Sequence, residues 1–291
     1  MARDDASGRR SRNPAFARAN SGKYLAHLAA WGYVALLVLP LYYLLISSVK
    51  DNVAIFNDPF LLTGELRFDN FTKAIEQAAL PQAIVNSVYV TVAAEALTLA
   101  VALPAAYAIA RARGRLRQLA ESVFGLGFLI PGFAALVPSV MLAITLGLFQ
   151  TREFLILLLG ASAIPLSVLL LAQAIRSVPT ELEESAVIDG AGPARVFWSI
   201  VLPLTIPSVV VVAILNFLSF WNEYFFALVI GGTGVGVRTV QVALPTLSAT
   251  TNAQFGVLAA GVVVSLVPVY VVYGFLARKM EGAVLAGALK G

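Results

Sequence analysis

No cysteine occurs among the 291 residues, and histidine occurs once, at His27. The first absence excludes a disulfide framework, thiol catalysis and thiolate metal sites. The second leaves too few ligands for a transition-metal cluster, so no metal site is expected. His27 falls near the start of the first apolar run, where its polar tip and apolar body suit an interfacial filler. Charge is also scarce: 12% of the residues are Asp, Glu, Lys or Arg, against 59% hydrophobic, and the mean hydropathy is +0.85. That balance lies outside the range of soluble globular domains. No G-x-x-x-x-G-K-[ST] string occurs, and the GALKG that contains Lys290 lacks the spacing. The backbone amides and lysine that cradle phosphate in a P-loop are therefore missing. No catalytic constellation replaces them, and the chain is not expected to be an enzyme.

What is present is a set of six apolar runs, at residues 24–46, 84–110, 123–148, 154–175, 206–230 and 255–276. Crossing a hydrocarbon core takes roughly 20 residues as helix, which predicts an all-α polytopic protein of six transmembrane helices. The first run is longer than a signal-peptide core of roughly 7–15 residues, and no small-residue cleavage site follows it, so it reads as a retained span. Three segments result: a basic arm over 1–23, a transmembrane domain over 24–277 and a tail over 278–291. The arm reads as disordered or as lying on the lipid surface.

A net charge of +4 with a pI of about 9.4 would suggest a nucleic-acid partner in a soluble protein. Here the basic residues are distributed by side. Segments 1–23, 111–117, 176–195 and 278–290 hold fifteen Lys and Arg, whereas Lys50, Arg67, Lys73, Arg152 and Arg238 make five on the other side. This bias places both termini in the cytoplasm and no nucleic acid among the partners. On the outer side, residues 47–83 include a short amphipathic helix near Phe71–Ala79, and Gly231–Asn252 forms a loop with a flexible GGTGVG start. Prolines 40, 104, 131, 138, 165 and 268 interrupt the spans. Broken backbone at membrane depth is tolerated where protein or a water-filled cavity re-satisfies it.

The cytoplasmic segment Pro179–Pro207 is a polar island. Thr180 and Glu183 have capping-box spacing, and Glu181, Glu183 and Glu184 crowd a first turn that favours anions. Gly190-Ala191-Gly192 ends this helix and permits a sharp turn. Pro193 then opens a second short helix, whose apolar stripe is Val196, Phe197, Ile200 and Val201. Two short helices in an L at the membrane surface are expected. A helix merely resting on headgroups is the alternative, against which three glutamates in one turn argue.

These residues carry a resemblance. Glu184-Ser185-Ala186, then Asp189-Gly190-Ala191, and downstream Phe197, Ile200 and Leu202-Pro203 resemble the EAA loop of binding-protein-dependent ABC importer permeases, with Ser185 where the pattern has alanine. Pro40, Ser47-Ser48-Val49-Lys50, Asn70-Phe71, Asn86-Ser87, Trp221-Asn222-Glu223-Tyr224 and the terminal Gly287-Ala288-Leu289-Lys290-Gly291 extend the resemblance along the chain. The chain is similar to the carbohydrate branch, and within it to the shorter permease subunit of maltose-type importers, with a MetI-like permease fold.

The resemblance implies a bacterial-type inner-membrane location and a coupling helix seated in a cytosolic ATPase. Leu182, Glu183, Glu184, Ser185, Ala186, Asp189, Gly190 and Ala191 would form that interface. Glu184 would pair with a basic group of the ATPase, Gly190 would make the turn, and Leu182 and Ala186 would fill the cleft. The implied partners are a second, homologous permease, two ATPase subunits, an extracytoplasmic solute-binding protein and the lipid bilayer. No cofactor is expected on this chain, since ATP and Mg2+ would be held by the ATPase. Gly231, Gly232, Gly234 and Gly236 would lend reach to a loop that contacts the binding protein, or would serve only a flexible connector.

For the substrate path, polar side chains within the spans point to Glu95, Asn216, Asn222 and Glu223, with Trp221 and Tyr224 beside them. Aromatic faces next to amides and carboxylates suit sugars; helix–helix adhesion or an interfacial aromatic belt is the alternative. Glu95 reads as functional or gate-like. Other readings are a self-contained secondary transporter, which calls for inverted repeats that the sequence does not display, and a same-family permease for a non-sugar solute such as a glycerophosphodiester.

Overall fold

A computed structural model describes residues 14–129, 131–248 and 253–288, with side chains from residue 26 to 275. Every regular element among these is helical. In chain order they are α1 (Pro14–Ser47), α2 (Asn52–Asn57), α3 (Asp69–Gln77), α4 (Leu80–Arg111), α5 (Gly114–Phe128), α6 (Gly132–Thr145), α7 (Arg152–Arg176), α8 (Thr180–Ile188), α9 (Pro193–Val196), α10 (Leu202–Trp221), α11 (Val240–Ala243) and α12 (Phe255–Ala288).

Five stretches among the described residues are long and apolar enough to cross a membrane as single helices: Ala26–Ser47, Leu80–Arg111, Arg152–Arg176, Pro193–Trp221 and Phe255–Phe275. The sixth expected span, 123–148, is instead broken. Gly114–Phe128 and Gly132–Thr145 meet at 87°. Pro131 stands at the break in an extended conformation, φ −67° and ψ 126°, with no N–H to continue the helix and a restriction on the residue before it. Pro40, Pro104, Pro138, Pro165 and Pro268 all lie inside helices that run on, so of the six prolines expected to interrupt spans only Pro131 does so.

Two further boundaries differ from expectation. The fifth span begins at Pro193 and ends at Trp221, whereas the apolar run alone suggested 206–230. The amphipathic stripe after the Gly-rich elbow is therefore not a separate surface helix. It continues through a π-helical stretch, Phe197–Val201, directly into α10, and this wider turn accommodates Pro203, which has no N–H to give. At the N-terminus, α1 already starts at Pro14 within the segment read as an arm; residues 1–13 lie outside those described.

The centre of the bundle is the contact of α4 with α7. Val90, Ala94, Thr98, Ala102, Ala106 and Ala110 recur every fourth residue of α4 and are buried. Small residues in such a row let two backbones approach closely. Gly160 of α7 faces this row: a Cβ there would lie 2.8 Å from Leu97 Cδ2 and 3.2 Å from the Ala94 carbonyl. Thr98 Oγ1 donates to Ala94 O at 2.8 Å and lies 3.1 Å from Gly160 O. Toward the ends of α4 and α7, Ala102, Ala106, Ile109, Val168, Leu171 and Ile175 join Val196, Phe197 and Val201 in one apolar cluster. This is the base from which α8 projects.

The opposite end is tied by amides. Asn70 Nδ2, on α3, donates to Ser48 O at 3.0 Å and Lys50 O at 2.9 Å, and Gly256 of α12 packs directly against Lys50 O and Asn70 Nδ2. The α3 helix spans Asp69–Gln77, two residues earlier than its amphipathic pattern suggested. The Gly-rich segment after residue 230 is likewise pinned: Asn86 Nδ2 donates to Arg238 O at 3.0 Å, Val240 N donates to Ser87 Oγ at 2.8 Å, and Arg238 Nη2 reaches Ala78 O at 2.8 Å. Beyond it, α11 and a 3-10 turn, Leu244–Leu247, are packed into the apolar cluster formed with α3, α4 and α12.

Candidate functional site: the α8 loop and an intramembrane cavity

The helix α8 covers nine residues between two sharp turns. It starts at Thr180 after an extended Pro179, and no side chain caps it. The expected capping box is thus absent. Glu183 points the other way, into the protein, where Oε1 accepts from Arg111 Nε at 2.7 Å and Oε2 accepts from Tyr107 OH at 2.8 Å. A guanidinium and a phenol offer this carboxylate stronger, charge-assisted partners than one backbone amide would. Glu183 is buried at 9% relative exposure, so it belongs to the anchor of α8 and not to its free face. Arg111 also closes α7, with Nη2 3.2 Å from Ile175 O and from Val178 O. Alongside, Arg176 of α7 is ion-paired with Glu121 of α5.

The far end of α8 is a glycine-terminated Schellman turn. Ala191 N donates to Ala186 O at 2.9 Å and Gly190 N to Val187 O at 3.0 Å. Gly190 has φ +84°, a left-handed conformation that glycine adopts without a Cβ penalty. Between these fixed ends the outward face carries Glu181, Leu182, Glu184, Ser185, Val187 and Ile188, all exposed, with Ile188 at 86%. Ala186 and Ala191 pack, partly buried, onto the α4–α7 cluster, so Ala186 leaves only part of its surface on the outward side. Ser185 donates its hydroxyl to Glu181 O at 2.7 Å and stays on the free face. The chemistry this arrangement supports is docking: an apolar knob flanked by carboxylates, held on a rigid base.

A cavity of about 580 Å³ opens between the broken span, α7 and α10. Phe128, Ser162, Asn216, Ser219, Glu223 and Phe226 are among its walls. Hydroxyls, an amide and a carboxylate beside aromatic rings are what a sugar requires. Asn216 donates to Ser167 Oγ at 3.1 Å, and Glu223 Oε1 accepts from Phe226 N at 2.8 Å, fixing the turn after α10. Glu95 of α4 lies behind this wall. It lies beside Asn216, but the Asn216 amide donates to Ser167 and both Glu95 carboxylate oxygens are buried without a hydrogen bond of good geometry.

Residues 99–282 match the family described as binding-protein-dependent transport system inner membrane component. The chain belongs to this family. It is 34% identical over 266 residues to the diacetylchitobiose uptake system permease protein NgcG of Streptomyces coelicolor, covering 91% of this chain and 87% of that one. It is 29% identical over 258 residues to the trehalose transport system permease protein SugB of Mycobacterium tuberculosis, covering 87% and 93%. The fold is shared with a bacterial ABC transporter involved in the import of the acidic polysaccharide alginate, with a TM-score of 0.77 at 22% identity over 90% of this chain and 97% of that one. It is shared more loosely with the MetNI methionine ABC transporter, at a TM-score of 0.58 and 17% identity over 70% and 95%.

The permease separates residues that its sequence grouped together. Asn216 and Glu223 line the cavity, with Glu95 close behind. Trp221 is buried at 3% exposure and stacks on Phe217, a packing role. Asn222 turns its amide back onto Leu218 O at 2.8 Å. Tyr224 lines a separate hollow with Gln241, Pro245 and Val262. Of the four loop glycines, Gly231 and Gly232 are buried and Gly234 and Gly236 exposed. Tyr107, Arg111, Val187 and Ile188 were not singled out from the sequence. Neither the exposure of Ile188 nor the pairing of Arg111 with a residue 72 positions away could be read from the local sequence.

Proposed function

We propose that this permease forms one half of the translocation path of an ATP-driven importer for di- or oligosaccharides, and that α8 is the element through which a separate ATPase drives it. The observation that carries the reading is the free face of α8: apolar Leu182, Val187 and Ile188 beside Glu181 and Glu184, exposed on a rigid base in a chain of this family. An exposed apolar cluster rimmed by charge marks a protein-binding surface. The threefold excess of basic residues on the α8 side supports a cytoplasmic position for that face and for both termini.

The sugar class rests on the cavity walls and on relatives named for diacetylchitobiose and trehalose transport. A second permease subunit would close the cavity, an external binding protein would deliver the solute, and Gly234 and Gly236 are the exposed positions available to touch it. ATP and Mg2+ would be held by the ATPase partners, because the sequence contains no P-loop. The test is reconstitution with the partner subunits in proteoliposomes. ATP-dependent uptake of a labelled chito- or malto-oligosaccharide, absent when α8 is deleted, is the expected result. Uptake by the lone chain, driven by an ion gradient, would overturn the proposal.

A further inference from the structure

Three helices are joined at one side-chain cluster. Arg111 is the last residue of α4, its guanidinium holds the carbonyl of Ile175 in the last turn of α7 and that of Val178 in the connection to α8, and it pairs with Glu183 of α8 through both Nε and Nη2. Tyr107, one turn earlier on α4, adds the hydrogen bond to the second carboxylate oxygen. The two charged side chains are only 21% and 12% exposed.

The apolar attachment of α8 is slight by comparison. Ala186 is its one residue packed against the α4–α7 cluster, while Leu182, Val187 and Ile188 face away. The helix is otherwise tethered through short connections, Ser177–Pro179 on one side and the Gly190–Gly192 elbow on the other. A single-point contact would let so short a helix pivot on its elbow. A planar guanidinium gripping one carboxylate oxygen through two nitrogens, with a phenol on the other, fixes both position and rotation.

We propose that Tyr107, Arg111 and Glu183 form the joint that makes α8 move as one body with the ends of α4 and α7, so that displacement of α8 is transmitted to the two spans at the centre of the bundle. Arg111 is a positioning residue in this scheme and touches neither sugar nor nucleotide. The inference rests on the reading that α8 docks an ATPase, and the experiment separates the two.

In the assembled transporter, Glu183→Gln, Arg111→Lys, Tyr107→Phe and the swap Glu183→Arg with Arg111→Glu are compared for three properties. These are ATPase retention on purification, sugar imported per ATP hydrolysed, and the spin-label distance distribution between Thr180→Cys, exposed at the start of α8 and outside its docking face, and Val92→Cys on α4, introduced into the naturally cysteine-free chain. Glu183→Gln and Arg111→Lys are expected to retain the ATPase, to lower sugar per ATP at least tenfold and to broaden the distance distribution. Tyr107→Phe should give a smaller drop, and the swap should recover part of the loss. Coupling and distances like those of the unmodified chain, or loss of ATPase binding in proportion to uptake, would overturn the joint. If the unmodified permease binds no ATPase, the docking reading fails, and the distance distributions alone decide whether the joint holds α8.

Discussion

Gly190 offers a perturbation whose cost can be worked from geometry alone. Its φ of +84° ends α8, and a Cβ built there would meet nothing within 4 Å. Substitution therefore introduces no clash with the rest of the protein, only the backbone cost of a left-handed residue, about 1–2 kcal/mol for alanine. That disfavours the native turn by a factor of roughly 5–30. Valine, with a branched Cβ, is worse at positive φ, whereas asparagine tolerates it. Uptake by the reconstituted importer should fall in the order Gly, Asn, Ala, Val, while thermal unfolding of the purified permease changes little, since the spans are untouched. A Gly190→Asn variant as impaired as Gly190→Val would refute the reasoning, because side-chain size and not backbone conformation would then set the loss. Full activity in Gly190→Val would refute it too.

Three further outcomes are expected. Glu184→Lys should leave thermal stability unchanged and weaken ATPase co-purification, more so at low salt, where exposed charge contacts are least screened. Gly160→Ala should destabilise the permease by about 1–3 kcal/mol, because its Cβ is forced against Leu97 and the Ala94 backbone; unchanged thermal unfolding in detergent would show that α4 and α7 are less closely packed than described. Glu95→Leu replaces a buried carboxylate that has no hydrogen bond by an apolar side chain of similar size, so it should raise the unfolding temperature, with about 1–3 kcal/mol at stake; an unfolding temperature at or below that of the unmodified chain would refute it.

The apolar runs were legible because length and hydropathy decide whether a segment crosses a bilayer, whatever its neighbours. The turn at Gly190 was legible because its cause is local. Prolines were ambiguous for the opposite reason. Six looked alike in sequence, but whether a helix survives one depends on packing around it, and only Pro131 marks a break. Glu183 shows the same limit at the site. A local rule assigned it to its own helix end, but a stronger partner 72 residues earlier claims it. Trp221 and Asn216 are both buried on α10 and are separated only by which side of the helix each occupies, which cannot be read from one sequence.

The docking of α8 on an ATPase is tested most directly by single-cysteine crosslinking, since the chain contributes no cysteine of its own. Ile188→Cys, at the exposed tip, should crosslink to the co-purified ATPase subunit with a short bifunctional thiol–amine reagent. Ala186→Cys, half-buried against the α4–α7 cluster, should crosslink far less. Equal crosslinking at both positions, or none at Ile188→Cys in a complex that transports sugar, would contradict the assignment.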